Sequence, residues 1–298
     1  MSDQRRAGPT RTALVVTSVV VLAVLIAVLR PWRQAETQAW KTLPAPAPLP
    51  TPDESGLAPV GDIHMWYAIF NKGGDNPVLL IHGGLGSAEN WGNQIQVLTR
   101  THKVIVADTR GHGRSTRSEG PFGYDVLTDD YVALLDRLKI DKVALVGWSD
   151  GAIIGLDMAM RYPERLTRLW AFGANFNLAG LRPDPDKESA VGLASAVARK
   201  EYERLSSTPD EYDTFCKAIE QMWSTQPDYK PGQLARITTP TIIADGEHDE
   251  LITREHPEKL ARLIPGAKLL IMPGVSHFAP LQNPALYNRE LKRFLDSP

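Results

Sequence analysis

The sequence predicts an α/β body: a mostly parallel central sheet with helices on both faces. Three observations carry that expectation. From residue 60 onward, short apolar runs alternate with longer segments of helical period. The runs are almost wholly apolar, as strands covered on both faces require. The unusual polar and glycine-rich residues fall just after the runs, where parallel sheets collect their reactive loops. In chain order, the expected strands are Val78–Ile81, Val104–Ala107, Val143–Val146, Leu166–Phe172, Thr241–Ala244 and Lys268–Ile271. Tyr124–Leu138 and Ala152–Arg161 are helical segments between them. Residues 179–236 interrupt the rhythm.

Composition excludes several functions. The 298 residues hold 33 Lys plus Arg against 35 Asp plus Glu, a net charge of −2 that gives no global basic field for nucleic acid. Charged residues at 23% and hydrophobic ones at 43% are ordinary for a soluble globular body. Cys216, the single cysteine, rules out an intrachain disulfide and a cysteine-rich zinc site. The histidines lack a metal-ligand spacing, and no metal or cofactor is implied. Gly83-Gly84-Leu85-Gly86 lacks the G-x-G-x-x-G pattern of a dinucleotide site.

The first sixty residues read differently. Residues 12–29 are uncharged and almost wholly apolar, and 18 residues at about 1.5 Å each span roughly 27 Å, close to a hydrocarbon layer of about 30 Å. Arg5, Arg6 and Arg11 precede the run, and Arg30 and Arg33 follow it. Those flanks suit an uncleaved signal anchor (residues 1–30) better than a cleaved secretory signal, which needs a small-x-small exit. The short N-terminal tail would face the cytoplasm, leaving the body periplasmic or extracellular; secretion after cleavage is the alternative. Residues 31–59 are expected to form a linker, whose stretch 43–59 carries six prolines and reads as an extended spacer. The folded domain is expected over 60–298.

Val143–Val146 runs into Gly147-Trp148-Ser149-Asp150-Gly151 and then a helical segment. This is G-x-S-x-G between a strand and a helix, a tight turn that projects a serine beside a helix N-terminus. A serine hydroxyl needs a base, and the base an orienting acid. Thr241–Ala244 is followed by Asp245-Gly246-Glu247-His248-Asp249-Glu250, and Lys268–Ile271 by Met272-Pro273-Gly274-Val275-Ser276-His277-Phe278. His277 is the expected base. Asp249 is ranked as the acid above Asp245, Glu247 and Glu250, which read as solvated or turn-forming. His64, His102 and His256 read as surface or packing residues, His82 and His112 as fixing glycine turns, and His248 as a neighbour of the acid.

These motifs resemble the α/β-hydrolase family. Its G-E-x-D and G-x-x-H-F loops match at Asp249 and His277. Its H-G-x loop matches at His82-Gly83-Gly84, and its D-x-R-G-x-G-x-S turn runs from Asp108 to Ser115. The resemblance spans about residues 60–298 and implies the α/β-hydrolase fold with a short helical cap at about residues 179–236 and a Ser149–Asp249–His277 triad. The backbone N–H groups of Gly84 and Asp150 would form the oxyanion hole. The implied activity is that of a carboxylesterase acting on a small-molecule ester. Peptidase, lactonase and carbon–carbon hydrolase activities share the triad, and a non-catalytic receptor on this fold is the reading from another class.

Asp150 is unusual beside a developing oxyanion. At about 6 Å and an effective dielectric near 20, its charge would oppose that oxyanion by roughly 3 kcal/mol. It is therefore expected to turn away, pair with a protein cation or meet a substrate ammonium. Gly147–Gly151 with Phe172-Gly173-Ala174-Asn175 also resembles the valacyclovir-hydrolase branch. That resemblance implies an amine subsite at Asp150. Tyr212, Phe215, Ile219, Met222 and Trp223 share one helical face in the cap region. Trp148, Phe215, Met222, Trp223 and Phe278 are the candidates to line the substrate pocket with Asp150.

Overall fold

Strand periodicity builds two buried layers. Along β3 (Val78–Ile81), Val78 and Leu80 enter one apolar cluster while Leu79 and Ile81 enter another. Along β5 (Val143–Trp148), Val143 and Leu145 side with the second cluster, and Ala144 and Val146 with the first. Successive side chains leave a strand on opposite faces, so runs of this kind sit between two helical layers. The computed structural model describes residues 39–183 and 189–297, and the chain from Trp40 onward forms one unit. The apolar run 12–29, the expected linker up to residue 38, and residues 184–188 of the expected cap lie outside the described residues. Among the described residues, no helix is long and apolar enough to cross a membrane.

The sheet has eight strands in the order β1-β2-β4-β3-β5-β6-β7-β8. Besides β3 and β5, these are β1 (Glu54–Val60), β2 (Ile63–Phe70), β4 (Val104–Ala107), β6 (Leu166–Phe172), β7 (Thr241–Gly246) and β8 (Lys268–Met272). β1 pairs antiparallel with β2, and β2 antiparallel with β4; the other pairings are parallel. Helices α1 (Gly92–Leu98), α2 (Tyr124–Arg137) and α3 (Asp150–Arg161) follow β3, β4 and β5. Between β6 and β7 stand α4 (Ala190–Leu205), α5 (Tyr212–Trp223) and the short α6 (Pro231–Leu234), the cap elements. Helix α7 (Glu255–Leu263) follows β7, and α8 (Ala279–Gln282) and α9 (Pro284–Leu295) end the chain. β3 lies between β4 and β5, so the chain runs outward in both directions from it. The crevice at such a reversal, outside the carboxyl ends of the strands, is where sites form in open α/β sheets.

The N-terminal boundary is a correction to the sequence reading. The body does not begin at residue 60: β1 starts at Glu54 and forms a hairpin with β2 through Gly61 (φ 53°) and Asp62. Pro59 is tolerated because β1 is an edge strand with one unpaired side. The proline-rich stretch before it is not a free spacer either. Leu43 and Leu49 pack against a core cluster, and the Ala47 N–H donates to Asn93 Oδ1 at 3.4 Å.

Candidate active site

β5 delivers Ser149 on a strained turn. Ser149 has φ 55° and ψ −118°, a region that costs a non-glycine residue about 1–3 kcal/mol. Its N–H donates to the Phe172 carbonyl of β6 at 2.8 Å, which ties the turn to the sheet. The flanking glycines are required by space. A Cβ on Gly147 would lie 2.2 Å from the Gly151 carbonyl oxygen, and one on Gly151 would lie 2.1 Å from that of Ile81. The amides of Gly84 and Asp150 make no hydrogen bond to backbone or side chain among the described residues. Both residues line one cavity of about 450 Å³ with Ser149 and His277.

The loops after β7 and β8 bring an acid and an imidazole together. His277 Nδ1 lies 2.6 Å from Asp249 Oδ2, with both side chains almost fully buried. The other Asp249 oxygen accepts the Leu251 and Ile252 N–H groups, each at 2.7 Å, which fixes the carboxylate's orientation. The His277 N–H donates to Glu250 Oε2 at 3.1 Å. Among the described residues His277 Nε2 makes no hydrogen bond, so Ser149 and His277 line one cavity without a direct bond from Nε2 to the hydroxyl. Asp245, at the end of β7, is also buried, accepts the Gly246 N–H at 2.8 Å, and feels the charge of Asp249.

Burial and mutual charge divide these acids. Burial pushes the Asp245 carboxyl well above the usual carboxylate range, and the charge of Asp249 adds to that. Burial opposes ionisation of Asp249 too, but the charge and hydrogen bond of His277, then Asp245 and a backbone amide, hold its pKa below the ordinary value. For His277, burial disfavours the imidazolium. Asp249, Glu250 and Asp150 outweigh it and keep the histidine pKa above its ordinary value. His82 and His112 differ, since burial lowers both, His112 to about 3. Neutral His82 holds its loops by accepting the Thr109 N–H at 3.0 Å and donating from Nδ1 to the Gly83 carbonyl at 2.7 Å.

Known proteins share this architecture. The profile of the alpha/beta hydrolase fold matches residues 76–215. Serine hydrolase BPHL of Homo sapiens is 32% identical over 240 residues, covering 74% of this chain and 80% of that protein. The chain belongs to the α/β-hydrolase family. A second relative of this hydrolase, 3-oxoadipate enol-lactonase 2 of Acinetobacter baylyi, is 27% identical and covers 78% of the chain and 95% of that protein. Among solved structures, a meta-cleavage product hydrolase of Pseudomonas fluorescens IP01 shares the fold with a TM-score of 0.69 at 22% identity. It covers 82% of this chain and 98% of that one.

The cavity of this α/β hydrolase is mostly apolar, and Asp150, Glu201 and Arg182 are among its lining residues. Asp150 does not turn away, nor is its carboxylate paired with a protein cation. Its Oδ1 accepts the Tyr124 hydroxyl at 2.8 Å, and Trp223 Nε1 donates to both oxygens at 3.0 and 2.9 Å. Burial raises its pKa; the Tyr124 and Trp223 hydrogen bonds and the His277 charge act the other way. Its Oδ2 would lie 2.6 Å from a Cβ on Gly84, so the carboxylate stands directly beside the loop after β3. Trp148, Trp223 and Phe278 line the cavity. Phe215 and Met222 do not, which corrects the expectation for both: they are buried in the core, where Phe215 stacks on Tyr202. One helical face of α5 was legible, but only its last residue, Trp223, reaches the cavity. Sequence reasoning also missed Tyr124, which stands in no motif, and the reading of Asp245 as solvated or turn-forming is corrected: it is buried, which no spacing rule reveals.

Proposed function

We propose that this hydrolase cleaves small carboxylic esters through an acyl-enzyme on Ser149. The observation that carries the reading is the buried 2.6 Å pair of Asp249 and His277, with Nε2 unpaired among the described residues and His277 lining the same cavity as Ser149. In the proposed sequence, Ser149 Oγ bonds to the ester carbonyl carbon while His277 Nε2 takes the hydroxyl proton. Asp249 holds the imidazole tautomer and stabilises the imidazolium. The oxyanion is met by the Gly84 and Asp150 amides, each such donor being worth about 10²–10³ in rate. The carbon–oxygen bond then breaks, His277 passes its proton to the departing alcohol, and water repeats the cycle to release the acid. The test is fluorophosphonate labelling with ester turnover. Ser149 should label, and Ser149→Ala should abolish labelling and the acyl burst; full turnover by that variant overturns the assignment.

A second reading concerns the acyl half of the ester. A buried carboxylate held only by neutral donors favours a cationic guest, so Asp150 suits the ammonium of an aminoacyl ester. The measurement is kcat/KM for an aminoacyl ester and its N-acetyl twin, with and without Asp150→Asn. The preference for the free amine should fall by tenfold or more in the variant; equal preferences in both proteins dismiss the subsite.

A further inference from the structure

The proline-rich stretch before β1 has a place in the site. Leu43, Pro44, Ala45 and Pro46 line the cavity that holds Ser149 and His277. The segment is fastened at both ends. Gln282 Nε2 donates to the Trp40 and Thr42 carbonyls at 3.2 and 2.9 Å, while Gln282 Oε1 accepts the N–H of Ser276, next to His277, at 2.7 Å. The Trp40 ring stacks on His248 in the Asp249 loop, centroids 3.9 Å apart. Farther on, the Ala47 carbonyl lies so close to Gly92 that a Cβ there would be 1.7 Å from its oxygen. The segment thus bridges the His277 loop, the Asp249 loop and the start of α1.

Its composition suits this position. Prolines at 44, 46, 48, 50 and 52 fix their own φ and push each preceding residue toward extended backbone. Ordering such a chain costs less entropy than ordering a free one. Each proline also lacks an N–H. Half of the donors that an apolar cavity would leave unsatisfied are therefore absent. Val191, Ala194, Val197 and Ala198 of α4 line the same cavity.

We propose that residues 40–49 are a fixed wall of the substrate cavity that sets the length of the apolar arm this hydrolase accepts. The inference rests on the esterase reading of the same cavity, naming an ester with one uncharged hydrocarbon arm. The test uses the full chain and two ester series. One runs from p-nitrophenyl acetate to p-nitrophenyl decanoate, and the other varies the alcohol at constant acyl group. Leu43→Ala should raise the long-to-short ratio of kcat/KM in at least one series by about tenfold, and Ala45→Phe should lower it by a similar factor. Gly92→Ala lies outside the cavity wall yet displaces the Ala47 carbonyl, so it should shift the ratio in the direction of Leu43→Ala. Ratios within about twofold of the parent in both series, for both cavity variants, overturn the proposal. Fluorophosphonate labelling of the unaltered chain is a separate readout: its absence defeats the esterase reading itself.

Discussion

Asp245, at the end of β7, and Asp249, on the loop after it, lie four positions apart, both buried, and are pushed in opposite directions. The partner decides. Asp249 faces an imidazole that becomes cationic, so its charge is compensated, whereas Asp245 faces Asp249 and two adjacent buried anions are costly. A protonated Asp245 would donate to Asp249 and steady it from behind. Asp245→Asn, which can still donate, should keep kcat within about threefold of the parent. Asp245→Leu should lose about tenfold or more, since a hydrogen bond to a charged group is worth about 1.5–3 kcal/mol. Equal losses in both variants would mean that packing, not the hydrogen bond, is at stake. The histidine makes a second prediction. Its neutral form is the base, and its pKa is raised, so the imidazolium persists to higher pH than usual. The acid limb of kcat/KM should therefore lie above the ordinary histidine value of about 6.5, with activity lost as pH falls through it. In Asp249→Asn, burial is no longer opposed by that charge. The limb should move down while kcat falls by about 10⁴.

At the scale of elements, the strand–turn–helix around Ser149 is set by close approach. The Gly151 site presses α3 against the carbonyl of Ile81 at the end of β3. Gly151→Ala should force the helix off the sheet at a cost of about 1–3 kcal/mol or more. A fall in Tm of several degrees is the expected outcome, and an unchanged Tm would show that the junction yields. What the sequence made legible here follows from burial. β3 and β4 coincide with their apolar runs because a strand covered on both faces has no polar residues to blur its ends, and β6 coincides with its run although Thr167 and Arg168 sit near its start. β1 escaped because it is an edge strand of half-exposed pattern carrying Pro59 and Gly56, so it reads as a continuation of the proline-rich stretch. Residues 40–49 were misread for a related reason. Proline content reports a stiff extended chain, and nothing local reports which surface that chain lies against. Trp223 and Phe215 make the same point within α5, since periodicity assigns both to one face and only the pose of the cap selects the residue that meets Asp150.

At the scale of the whole molecule, the body from Trp40 carries its own two-layered core, and that separates its folding from residues 12–29. Both clusters are built from Ala58 onward, with Leu43 and Leu49 packed at the edge of one of them. The uncharged run 12–29 is proposed to anchor the chain in a membrane. If so, removing it should change where the protein is found and not how it folds. A chain beginning at residue 39 should therefore be soluble, with a Tm within about 2 °C of the full chain in detergent, a difference of about 1 kcal/mol or less at this size. It should also keep the ester-length preference, because residues 40–49 are retained. A chain beginning at residue 53 should fold as well but lose that preference. The full chain should sediment with membranes and resist extraction by high salt, since burial of apolar surface is little weakened by ionic screening. Finding the full-length protein soluble, with a mature N-terminus between residues 30 and 40, would replace the anchor by a cleaved signal. Finding it soluble and uncut would remove the membrane from its biology altogether.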